Sequence, residues 1–86
     1  MTNTVSDVTI YLERRGDEYR ARYEIRTSVS TETAQRIRQR LLKSFSLGRN
    51  FPDARTVGNI RQKGRLMQML LQSNFGFQSD IVEVFN

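Results

Sequence analysis

The chain of 86 residues contains no cysteine, no histidine and no tryptophan, and a single proline, Pro52. Without cysteine there is no disulfide framework, no zinc finger and no thiolate nucleophile. Without histidine no imidazole acts as general acid or base near neutral pH, and none activates a serine. No Ser-x-x-Lys pattern replaces it. Gly58 and Gly64 have the wrong spacing for a phosphate loop, and no Lys-Ser or Lys-Thr pair follows them. The acids are few and scattered, and none of them forms a calcium-loop pattern. Long apolar runs are missing too, which argues against a membrane-spanning helix. Met1 to Asp7 is polar and lacks the cationic-then-apolar pattern of a signal peptide. These absences predict a non-enzymatic protein with no cofactor, metal site or membrane partner, and cytoplasmic residence.

What the chain does have is positive charge in one place. Its net charge is +5, but all fourteen cations fall between Arg14 and Arg65. That window holds five acids and so carries +9, while each flank carries −2. Twelve of the cations are arginine. The arginine fork matches phosphate, carboxylate and guanine and stacks on rings. The bias points to a binding surface, although a base-composition preference for arginine gives the same count.

A chain this short forms one domain, residues 1–86, with a thin core; it buries only about 60–65% of its unfolded surface. Residues 1–6 are expected as a loose arm. Val8, Ile10 and Leu12 alternate with Thr9, Tyr11 and Glu13. Tyr19, Ala21, Tyr23 and Ile25 alternate with Arg20, Arg22, Glu24 and Arg26. Gly16-Asp17 between the two runs predicts a β-hairpin. Ser30 to Leu47 predicts a helix capped by Ser30, with Gly48 at its end. Ala34, Ile37, Leu41, Leu42 and Phe45 fill an apolar arc of roughly 140°, and Arg36, Arg40 and Lys43 lie opposite. Arg38 falls inside the apolar arc and must pair or extend outward; Glu24, Glu83 and the carboxylate of Asn86 are candidate partners.

Phe51 is expected at the core edge within an Arg49–Asp53 loop. The second helix is strongest over Arg65–Ser73 and starts near Thr56 or later, because Gly58 and Gly64 weaken its first half. Asp53 is a further candidate for its cap. Val57, Ile60, Met67, Leu70 and Leu71 form its apolar arc, widened by Leu66. Arg61, Arg65, Gln68 and Gln72 form a polar stripe. Asp80–Phe85 predicts a third strand, with a short helix as the competing reading. The resulting architecture is α+β, ordered ββααβ. It is a small antiparallel sheet, the N-terminal hairpin plus the C-terminal strand, with two helices packed on one face. Val82 and Val84 are expected to help cover the first helix.

Arg36, Arg40 and Lys43, with Arg49 nearby, span roughly 10 Å of helix at 1.5 Å per residue. They form a candidate track for phosphates, and equally fit a solvated helix face. Arg61 and Arg65 stand beside glutamines whose amides can read adenine as arginine reads guanine. Arg20 and Arg22 give a second patch on the hairpin's outward face, where Tyr11 is the one clear aromatic; cross-strand Glu–Arg pairing is the plainer explanation there. The connection from Gly48 to about Thr56 is longer than the turn of a standard helix-turn-helix and argues against that motif. The functional expectation is a small regulatory or nucleic-acid-binding protein, the type of nucleic acid undetermined. The alternative is a protein-interaction module, an adaptor or inhibitor, that uses an acidic partner surface or homodimerises through Leu66–Leu71.

Overall fold

In the computed structural model, residues 6–45 and 54–85 are described. The elements follow the order β1 (Val8–Arg15), β2 (Glu18–Ile25), α1 (Thr31–Phe45), α2 (Val57–Phe75) and β3 (Ser79–Val84). The ββααβ architecture is therefore the one the patterning predicts. The loose arm, apart from Ser6, lies outside the described residues, as do Arg49, Phe51, Asp53 and Asn86.

The hairpin forms where the two alternations meet. Val8 pairs with Ile25, Ile10 with Tyr23 and Leu12 with Ala21 on one face. Tyr11 pairs with Arg22 and Glu13 with Arg20 on the other. Gly16 makes the two-residue turn possible: its φ is +63°, a region that a side chain disfavours.

β1 is the central strand of the order β2-β1-β3, and β3 runs parallel to it. This corrects the antiparallel sheet expected from the sequence. The reason is the number of helices. β2 returns to the end where β1 begins, fixed by the Arg26 N–H donating to the Asp7 carbonyl at 2.8 Å. α1 carries the chain away from that end and α2 brings it back. The Asp7 N–H then donates to the Gln78 carbonyl at 3.0 Å. A strand that starts beside the start of β1 must run the same way as β1.

The parallel register decides which β3 side chains reach the core. Ile81 lies beside Ile10 and Glu83 beside Leu12, so Ser79, Ile81 and Glu83 share the helix side. Val82 and Val84 lie on the outer face, 40% and 42% exposed. The expectation that they cover α1 is thus wrong by one residue of register. The cover comes from Tyr19, Ala21, Tyr23 and Ile25, which pack against the core of Val8, Ile10, Leu12, Ile37, Leu41, Phe45, Ile60, Met67 and Leu71.

α1 is capped as predicted: Ser30 Oγ accepts from the Thr33 N–H at 3.2 Å. α2 runs unbroken through both glycines. Thr56, not Asp53, is its N-cap, accepting from the Asn59 N–H at 3.1 Å. Gly76 closes it in the left-handed conformation, φ +66°. Gly64 is buried where α2 crosses the sheet. A Cβ there would lie 3.2 Å from both Ile81 Cδ1 and Leu12 Cδ2. The residue that weakens the helix on paper is what lets the helix approach β1 and β3. No helix among the described residues is long and apolar enough to cross a membrane.

Candidate functional site

The predicted basic residues fall into three separate places, and the differences between them are electrostatic. On the outer sheet face Arg22 Nε donates to Glu13 Oε2 at 2.7 Å and its Nη1 to Glu24 Oε1 at 2.9 Å. Arg20 adds a longer ion pair to Glu13 at 3.7 Å. The hydrogen bond from Arg22 holds the Glu13 carboxyl below the usual carboxylate range, against the opposing effect of desolvation. The Arg22 guanidinium also lies 4.1 Å from the centroid of Tyr11. The aromatic ring on this face is therefore already covered by a cation. Cross-strand pairing accounts for this patch.

Arg61 is committed as well. Its Nε and Nη2 donate to the two oxygens of Glu83 at 2.6 and 2.9 Å. This bidentate pair lowers the Glu83 pKa and raises that of Arg61. It ties α2 to β3. Two of the three candidate partners for Arg38 are thereby taken, Glu24 by Arg22 and Glu83 by Arg61. The third, Asn86, lies outside the described residues, and Arg38 itself is exposed. It sits near Tyr23, whose hydroxyl pKa burial raises and the Arg38 charge lowers. Leu42 beside it is 58% exposed, so the buried seam of α1 is only Ala34, Ile37, Leu41 and Phe45. The apparent intrusion of Arg38 came from counting Leu42 as core. In the polar stripe, Gln68 Nε2 donates to the Ser79 carbonyl at 2.9 Å. Arg65 is exposed and makes no ion pair among the described residues.

The third place is the back of α1. Arg36, Arg40 and Lys43 line one shallow groove with Gln39, Asn74 and Phe75. Among the described residues no acidic side chain lines it. Arg40 Nη2 donates to Asn74 Oδ1 at 3.2 Å, which docks the groove's two walls. Phe75 stacks on Phe77 at 6.1 Å between centroids, with an interplanar angle of 27°. Sequence reasoning missed Asn74 and Phe75 as members of this site, because they lie on the end of the other helix. Arg49, the remaining predicted member, is outside the described residues.

No group of three or more carboxylates able to hold a metal occurs among the described residues. Comparison with protein-family models, with curated proteins and with solved structures matched none of them to this chain.

Proposed function

We propose that this is a non-enzymatic binding protein for a nucleic-acid backbone, working through the groove between α1 and the end of α2. The observation that carries the reading is the contrast among its arginines. Arg20, Arg22 and Arg61 are neutralised by Glu13, Glu24 and Glu83. Arg36, Arg40 and Lys43 share a groove that no carboxylate lines among the described residues. Three cations beside an amide and an aromatic ring supply what a single strand uses: charge for the phosphates, a π-face for a base and a hydrogen-bonding amide. The C-terminus of α2 brings partial negative charge to the same place, which Arg40 offsets.

Fluorescence anisotropy with random single-stranded and duplex oligonucleotides tests the reading. Binding should weaken with salt at a slope of about −0.7 per phosphate contact for a single strand and about −0.9 for a duplex. Arg36→Glu with Lys43→Glu should abolish it, whereas Arg20→Gln should leave it unchanged. Absence of binding at low salt would remove the proposal.

A protein-interaction module is the second reading. It rests on Leu66 and Met69, 42% and 66% exposed on the solvent side of α2. Met67 and Leu71 are fully buried, so the Leu66–Leu71 segment offers only part of the apolar surface its composition suggests. A pull-down with and without nuclease separates the two readings.

A further inference from the structure

The two edges of the sheet are not equivalent. At the edge of β2, the Tyr19 N–H donates to the Ala54 carbonyl at 2.7 Å. At the edge of β3 the outward groups can be assigned. Asp7 directs its carbonyl to β2, and the Val8 N–H donates to Gln78 of the β3 side at 3.4 Å. Main-chain groups alternate sides along a strand. Val8, Ile10 and Leu12 therefore face β3, and Gln78, Asp80 and Val82 answer them. The N–H and C=O of Ile81 and Glu83 point away from the sheet. Flanking them on the outer face are the half-exposed Val82 and Val84. On the helix side Arg65, which has no ion pair among the described residues, lines a groove with Ile81 and Glu83. No lysine or proline guards this edge.

We propose that β3 pairs antiparallel with β3 of a second copy of the chain, about a two-fold axis through Val82. The two three-stranded sheets become one continuous sheet with all helices on the same face. The inference does not depend on the α1 groove. It rests on the way the edge complements itself. With the axis at Val82, Ile81 stands opposite Glu83 of the second copy, and both present outward backbone groups. The two Val82 side chains meet at a non-hydrogen-bonded position, where Cβ atoms approach to about 4.5–5.5 Å. Glu83 of the second copy, held by Arg61 of its own chain, arrives beside Ile81 and next to Arg65, so its carboxylate is shared with a guanidinium that has no ion pair among the described residues. Neighbouring registers fit less well. An axis at Glu83 sets two carboxylates face to face, and an axis at Ile81 places Glu83 against Ser79, away from Arg65. A domain this small also gains proportionately from further burial.

Sedimentation equilibrium of the full chain gives the mass, and an engineered cysteine gives the register. The chain has no cysteine of its own, so Val82→Cys introduces one thiol on the proposed axis. Under mild oxidation Val82→Cys should become a disulfide-linked dimer, while Glu24→Cys on β2 should not. Val82→Lys should raise the dimer dissociation constant at least about tenfold, with the far-ultraviolet circular dichroism unchanged. Arg65→Glu should weaken the dimer too. A chain that stays monomeric at high concentration overturns the proposal, whether or not it captures some other extended peptide. So does a dimer that Val82→Lys leaves intact, because its interface must then lie elsewhere, for example at Leu66 and Met69.

Discussion

Gly58 and Gly64 occupy the same helix and predict opposite mutational effects. Nothing lies within 4 Å of a Cβ built on Gly58. Gly58→Ala should therefore stabilise the protein by about 0.5–1 kcal/mol, the helix-propensity difference. At Gly64 the added atom meets Leu12 and Ile81, and Leu12 is fully buried and has little room to yield. Gly64→Val should cost about 1–3 kcal/mol by overpacking. Urea unfolding of the two variants checks both signs; equal effects would mean that α2 does not press on the sheet at Gly64. The sequence shows the two glycines only as two weak points in a helix. Their difference depends on which helix face meets β3, and that contact joins residues far apart in the chain. Arg38 is a similar case. A helical wheel places it among apolar residues, but how far the buried seam extends depends on what packs there. The exposure of Leu42 narrows that seam.

Among the elements, the link most open to measurement is the one between α2 and β3. The hydrogen bond from Arg61 depresses the folded-state pKa of Glu83. A depressed carboxylate contributes stability above its unfolded value, about 4.3, and that contribution disappears as pH falls through the folded value. The gap in melting temperature between the wild type and Glu83→Gln should be open at pH 7 and close as the pH is lowered toward 3. A gap that stays constant across that range would show that the ion pair contributes nothing. The pair is exposed, so the effect should be small and should shrink in high salt. All five elements were legible from periodicity, caps and turn residues: the alternation in the hairpin, Ser30 ahead of α1, the β-branched run of β3. The direction of β3 was not. Six residues of alternating pattern carry no sign of parallel or antiparallel pairing; that comes from the even number of helices before them.

For the molecule as a whole, the +9 window marks a basic stretch of chain, and folding divides it into arginines held by their own glutamates and cations left facing solvent. The charge count was legible, but the division was not, because Glu13 reaches Arg20 and Arg22 across a turn and Glu83 reaches Arg61 from the far end of the chain. The same long reach governs how the domain is made. β1 and β2 are adjacent in sequence and can zip together early, but Val8 finds Ser79 only after both helices have been laid down. Pairing across so long a stretch is slow and leaves apolar strand surface uncovered in the interval. On the ribosome, one side of the central strand must wait, unpaired, until β3 emerges. Nascent chains held on an added C-terminal extension too short to bring Ile81 out of the exit tunnel should be rapidly cut by a protease, and chains on an extension long enough to expose Phe85 should resist it. Equal resistance at both lengths would mean that the hairpin and helices close a core without β3.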